Sequence, residues 1–238
     1  MRIILDTETT GLNPLRDEIL QLAIIDADTG ATLYNQYHKP QRVTEWPEAE
    51  AVNHISPEFV EDMEPITSPL CASKIREILG QADEIIGYNT GFDLAMLAAA
   101  GYEVAVDLIT ITDVMRMYAP LHGEWSEEHQ NYKWQKLTTC AENQGYDWGV
   151  YPAHDALNDC QATRYCWKRI NEHCKLKSDD IIQRMLHVAC MLIGTASRAQ
   201  REASDPRLIF PAHRETYSLL WDLQRALEDI RDGTTEST

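Results

Sequence analysis

The chain has 238 residues, 44% hydrophobic and 25% charged, which is enough apolar material for a core and excludes a disordered, collagen-like or fully coiled-coil protein. Its 21 basic and 38 acidic side chains give a net charge of -17, the wrong sign for a protein that coats long polyanions by releasing their counterions. No run of about 18 apolar residues occurs, and Met1-Arg2-Ile3-Ile4-Leu5 leads straight into a charged segment. The expectation is a cytoplasmic protein with neither membrane span nor secretory leader.

In chain order, residues 2–7 (Arg-Ile-Ile-Leu-Asp-Thr) predict a buried strand, followed by the turn-rich Thr10-Gly11-Leu12-Asn13-Pro14. Two further β-rich runs, 18–26 and 32–38, flank the hairpin signal Asp28-Thr29-Gly30. The pattern then predicts a helix over 68–80, a strand over 84–88, a helix over 92–100 stopped by Gly101, and a strand or short extension over 106–110. Helices are expected at 113–118, 137–144 and 155–172, with 120–134 as a long surface loop. In the last of these helices Ala156, Cys160, Thr163, Trp167 and Ile170 recur at helical spacing, so one face should pack on the sheet. Strands first, then strands alternating with helices, predict an α/β fold with a mixed sheet covered on both faces.

Six cysteines at 71, 140, 160, 166, 174 and 190 show no metal-finger spacing, and free thiols are expected. Residues 1–174 hold 12 basic and 28 acidic side chains, net -16, whereas 175–238 hold 9 and 10, net -1. This jump divides the chain into a domain at 1–174 and an extension at 175–238. Ile181, Met185, Val188 and Leu192, widened by Ile182, Leu186, Ala189 and Ile193, predict one broad-faced helix there; Tyr217, Leu220, Leu223, Leu227 and Ile230 predict a second. The extension is expected to pack on its neighbours or to carry a homodimer or protein-partner surface. It does not suit a membrane, because its polar faces are not basic.

Asp6 and Glu8 lie two apart on the first strand, so both carboxylates leave one face of the sheet, close enough to share a cation. Ile3-Ile4-Leu5 before them puts the acids at the carboxyl end of a buried strand, where α/β sheets bind ligands. On its own, Asp-x-Glu also describes a pair of solvated acids at a strand end.

The octet Leu5-Asp6-Thr7-Glu8-Thr9-Thr10-Gly11-Leu12 resembles the first motif of the DEDD superfamily of 3'-5' exonucleases, the group containing the proofreading subunit of bacterial DNA polymerase III. Ile86-Gly87-Tyr88-Asn89-Thr90-Gly91-Phe92-Asp93 resembles the second motif. Ala153-His154-Asp155-Ala156-Leu157-Asn158-Asp159-Cys160 resembles the third, of the DEDDh (DnaQ-like) branch. Val52-Asn53-His54-Ile55-Ser56 is similar to a His-containing loop near the substrate terminus. The resemblance covers residues 2–172 and implies an RNase H-like mixed sheet flanked by helices, with two-metal hydrolysis of nucleic acid from the 3' end. By that analogy Asp6 bridges two Mg²⁺ or Mn²⁺ ions, Glu8 and Asp159 complete one of them, and Asp93 acts partly through water. Thr9, Gly11, Leu12, His54, Asn89 and Phe92 become the candidate substrate contacts, with Leu12 a wedge against the terminal base and Phe92 equally suited to the core.

The donor types agree independently, because phosphodiester hydrolysis needs an activated water, charge neutralisation and a stabilised leaving oxygen, which hard cations on oxygen ligands supply. Two residues compete for the base. Tyr151 and Asp155 satisfy a Tyr-x-x-x-Asp spacing, whereas His154 stands five before Asp159. Inside one helix His154 and Asp159 would point about 140° apart, so His154 should precede the helix, with Asp155 as its N-cap. This favours His154, a fitting base near neutral pH. The expected substrate is the 3' end of single-stranded or frayed DNA, because the first motif reads as in proofreading and repair members; RNA trimming is the alternative, and a non-catalytic binding module is disfavoured by the full set of acids. Trp125, Tyr132 and Trp134, interleaved with Lys133 and Lys136, form a further candidate stacking surface in the long loop.

Overall fold

Ile3, Ile4 and Leu5 are apolar in succession, and such a run sits in a strand only if both faces are covered. They lie in the middle strand of a five-stranded sheet in the computed structural model, which describes residues 1–172 except 106, 129 and 150–152. The strand β1 (Arg2–Thr9) pairs antiparallel with β2 (Ile19–Asp26), which pairs antiparallel with β3 (Thr32–Tyr37). On its other side β1 runs parallel to β4 (Glu84–Gly87), and β4 runs parallel to β5 (Thr110–Asp113). The order is β3-β2-β1-β4-β5, so the sheet is mixed and helix-flanked as the sequence predicts.

Period-two alternation assigns the two faces. Ile3, Leu5, Leu22, Ile24 and Ile85 pack against α3 (Pro69–Gly80) and α4 (Thr90–Ala99), where Ile75, Ile78, Met96 and Leu97 are buried. Ile4, Ala23, Ile25 and Ile86 pack against α5 (Val114–His122), α6 (Leu137–Gln144) and a last helix, α7, over 156–172. The buried stripe of α7 includes Ala156, Cys160, Thr163, Trp167 and Ile170, and Cys160 donates its thiol to the carbonyls of Ala23 and Ile4 at 3.6 and 3.8 Å. Burying a side chain such as Leu5 is worth about 1.5–3 kcal/mol. Side-chain caps fix the helix starts: Ser68 accepts from the Cys71 amide, Asp113 from Met115, and Asp155 from Leu157 and Asn158.

Three local expectations change. The strand expected at 106–110 forms instead at Thr110–Asp113, because parallel pairing with β4 aligns Ile111 with Ile85 and Thr112 with Ile86. The loop expected at 120–134 holds the last turn of α5, with Pro120 inside the helix, and a short hairpin of β6 (Trp125–Ser126) and β7 (Asn131–Tyr132). Two unpredicted helices, α1 (Pro47–Asn53) and α2 (Pro57–Val60), bracket His54, each started by a proline at its first turn. Cys71, Cys140, Cys160 and Cys166 are free and buried, as expected.

Contacts divide the chain into Met1–Ile170 and Asn171–Thr238. The helices predicted within 175–238, together with Cys174 and Cys190, lie outside the described residues, as does Tyr151. Among the described residues no helix is long and apolar enough to cross a membrane.

Candidate active site

The carboxyl ends of β1, β4 and β5 share one edge of the sheet, and the predicted acids gather there. Asp6 and Glu8 leave β1 on the α7 side, with Ile4, while Thr7 between them faces α4. Asp93, in the first turn of α4, uses its Oδ1 to accept from the Thr7 amide at 3.0 Å and the Thr7 hydroxyl at 2.7 Å. The alternation that presents Asp6 and Glu8 thus turns Thr7 to hold the third acid from the opposite face. Asp159 stands one turn into α7 and accepts the His154 amide on both oxygens, at 3.3 and 3.4 Å. His154 precedes the helix, and Asp155 caps it, as the spacing predicts.

One ligand atom from each of Glu8, His154 and Asp159 lies within 4.8 Å of the other two. Asp6 and Asp93 are outside that trio but close enough to load it electrostatically. Burial, then the charges of Asp93, Asp159 and Glu8, push the Asp6 carboxyl well above the ordinary range. Glu8 is pushed up to about 8 by burial and by Asp159, Asp155 and Asp93, with Asn53 pulling back. Asp93 rises to about 7 through burial against the pull of Thr7, and Asp159 to about 7 through burial against the pull of the His154 amide. Carboxylates crowded this way favour protons or cations over free negative charge. Their hard-oxygen donor set fits Mg²⁺ or Mn²⁺.

The candidate substrate contacts surround the cluster. Thr9 is buried and donates its hydroxyl to the Gly11 carbonyl at 2.7 Å. Gly11 lets the loop close on Asp17: an added Cβ would meet the Asp17 carboxylate at 2.6 Å, and the carboxylate would have to shift. That carboxylate also accepts from the Thr10 hydroxyl and the Asn13 amide, which stiffens the loop and leaves Leu12 85% exposed at its tip. His54 caps α1 and is exposed; Asn89 precedes α4, its amide donating to Asp113 Oδ1 at 3.1 Å. Phe92 is half-buried against the α3–α4 core, so part of its ring is committed to packing. Four non-glycine residues among those described adopt left-handed φ, and three are His54, Asn89 and His154, at 59°, 65° and 69°. Such conformations are sparsely populated and persist where surrounding contacts enforce them.

Two buried amides also shape the site although neither is among the candidate site residues read from the sequence. Gln21, opposite Glu8 in the β1–β2 register, is fully buried; its Nε2 donates to Asp155 Oδ2 at 3.1 Å and its Oε1 accepts the Ala156 amide at 3.1 Å. Tyr37 donates its hydroxyl to the same Asp155 oxygen at 3.0 Å. Together they fix the start of α7, and hence the His154–Asp159 segment. Asn53 donates to the Thr9 carbonyl at 3.2 Å, accepts the Ile55 amide at 3.1 Å and lies beside Glu8. The available sequence signal for Gln21 was a lone amide inside Ile19-Leu20-Gln21-Leu22-Ala23-Ile24-Ile25. For Asn53 the signal was its place in Val52-Asn53-His54-Ile55-Ser56, where attention fell on His54 and the helix ending on Asn53 was unpredicted.

A mixed sheet of this order, with acids at the end of its central strand and on two helices, defines an RNase H-like nuclease. The exonuclease family model RNase_T matches residues 3–167. The chain belongs to this exonuclease family, of the DEDD superfamily, and is a DnaQ-like nuclease enzyme. It is 26% identical over 175 residues to DNA polymerase III PolC-type from Latilactobacillus sakei subsp. sakei (strain 23K), a match covering 68% of this chain and 11% of that protein. Exonuclease X in complex with 5' overhanging duplex DNA superposes with a TM-score of 0.53 at 20% identity, covering 73% of this chain and 92% of that one. For E. coli Exonuclease I in complex with a dT13 oligonucleotide, the TM-score is 0.59 at 19% identity, over 76% of this chain and 43% of that one. At these identities the structures bear on the fold alone.

Proposed function

We propose that this exonuclease hydrolyses the terminal phosphodiester at the 3' end of single-stranded or frayed DNA, releasing nucleoside 5'-monophosphates. The observation that carries the reading is the convergence of Asp6, Glu8, Asp93 and Asp159 on one edge of the sheet, with carboxyls pushed up by burial and, for Asp6 and Glu8, mutual repulsion as well. The four acids would hold two Mg²⁺ or Mn²⁺ ions. Bound there, the ions would supply charge neutralisation at the phosphate and acidity to the attacking water.

The chain's own residues do the rest. His154, on the edge of the cluster beside Glu8 and Asp159, takes the proton from water as its oxygen bonds to phosphorus and the bond to the departing 3' oxygen breaks, that oxygen taking a proton from solvent water. The stiff Thr9–Leu12 loop, His54 and Asn89 orient the terminal nucleotide, and Leu12 wedges against its base. A net charge of -17 restricts affinity to local contacts with a few nucleotides.

The test is degradation of end-labelled single-stranded DNA, duplex DNA and RNA in Mg²⁺, Mn²⁺, Ca²⁺ or chelator. Mononucleotide release from single-stranded DNA, abolished by chelator, is expected. A strong preference for a 3'-terminal ribonucleotide over its deoxy counterpart would replace DNA by RNA as substrate, and metal-independent cleavage would overturn the assignment of the acids.

A further inference from the structure

We propose that the exposed aromatic edge formed by Trp134 and the β6–β7 hairpin is a stacking subsite for unpaired bases a few nucleotides upstream of the scissile bond. The proposal deepens the exonuclease reading above and rests on it for the identity of the ligand.

Placement is the first observation. Ile4 is level with Ile86 and Ile86 with Thr112, so Asp6 stands one residue beyond the level of Asp113, on the same edge of the sheet. Asp113 accepts the Asn89 amide and lies 3.6 Å from the Arg116 guanidinium, whose carbon sits 5.8 Å from the Trp134 ring centroid. Tyr88, next to Asn89, donates its hydroxyl to the carbonyls of Gln135 and Lys136 at 2.9 and 3.1 Å. Trp134 is therefore tethered from both sides to the segment that begins α4. β1 and β5 are two strand spacings apart, about 10 Å, the rise of about three stacked nucleotides.

Exposure is the second observation. Trp125 and Tyr132 form a cross-strand pair with ring centroids 5.2 Å apart at 85°, which supports the hairpin. Trp134 lies beyond that ladder and keeps 60% of its surface open, so packing does not account for it. Lys133 is already paired with Glu124 at 2.7 Å, so the hairpin is no basic groove. An indole backed by a guanidinium instead suits the π-face of any base, independent of sequence.

Two measurements test this. In chelator, where no turnover occurs, oligodeoxythymidylate should quench tryptophan fluorescence, and Trp134→Ala should weaken its binding about tenfold, the scale of one base–aromatic stack. With metal, the advantage in kcat/KM of a long oligonucleotide over a dinucleotide should shrink by a similar factor in Trp134→Ala and be restored in Trp134→Phe. Unchanged binding and an unchanged length advantage in Trp134→Ala would overturn the proposal. So would quenching on concentrating the protein without oligonucleotide, which would make this edge a self-association surface. If the wild type cleaves neither substrate, the exonuclease reading fails, while the chelator measurement still decides the subsite.

Discussion

The two halves of β1 differ in what they contribute. Ile3, Ile4 and Leu5 are fully buried and join the cores on both faces of the sheet; Asp6 and Glu8, on the same ladder, have carboxyls driven far above their ordinary range. The first half stabilises the fold through the hydrophobic effect, and the second half stores electrostatic cost at a place where a cation would relieve it. The costly half holds its shape because neighbours brace it: Thr7 holds Asp93, Asn53 holds the Thr9 carbonyl, and Gln21 with Tyr37 holds Asp155. Stability and chemistry are divided along one strand, which makes the division testable by substitution.

The largest effect is expected at the acids. Asp6→Asn or Asp159→Asn should reduce turnover by several orders of magnitude while raising the melting temperature of the metal-free protein, since each removes a charge from a repelling cluster. Activity assays with metal-saturated protein and thermal melts in chelator measure both; a lowered melting temperature with retained activity would reverse the contrast between the two halves. His154→Ala should lower kcat by about 10²- to 10⁴-fold with cation binding by calorimetry largely retained, and Tyr151→Phe should be close to wild type. An inactive tyrosine variant would move the base to Tyr151.

On the apolar half, Leu5→Ala should cost about 2–5 kcal/mol in denaturant unfolding, with turnover per folded molecule much less affected than by Asp6→Asn one residue away. Comparable losses of turnover would show that the two halves are not separable.

The pH dependence follows from the raised carboxyls. Their folded values, about 7 for Asp93 and Asp159 and about 8 for Glu8, exceed unfolded values near 4. The unfolded chain therefore releases these protons first, and the contribution of these groups to stability is full below about pH 4 and is lost as pH rises through about 7 and 8. Melting temperature in chelator should fall over that window, and Mg²⁺ or Mn²⁺ should remove most of the fall. A flat profile would mean that the carboxyls are not held above their unfolded values, by burial or by one another.

The smallest expected effect is at the brace. Gln21→Leu leaves Asp155 without one donor and the Ala156 amide without its acceptor, at a cost of about 1–3 kcal/mol. It should lower kcat more than it raises KM, because it shifts His154 and Asp159 without touching substrate, and Gln21→Glu should not rescue it, since a carboxylate cannot donate to Asp155.

Local sequence was sufficient for the central strands and for the helices α3, α4, α6 and α7, and it singled out Asp6, Glu8, Asp93, His154 and Asp159 as site candidates, because apolar periodicity, short polar caps and motif spacing are all properties of neighbouring residues. Asp155 before Ala156 declared its helix in this way. The register that sets β5 at Thr110–Asp113, the helices around His54, the left-handed backbone at Asn89 and His154, and the brace from Gln21 to Asp155 were decided by the tertiary structure. The brace depends on a partner far along the chain, since Gln21 meets Asp155 across 134 positions, just as Thr7 meets Asp93 across 86. A buried polar side chain is tolerable only when such a partner satisfies it, and which partner arrives is fixed by how the sheet and helices pack, information that no local pattern of residues contains.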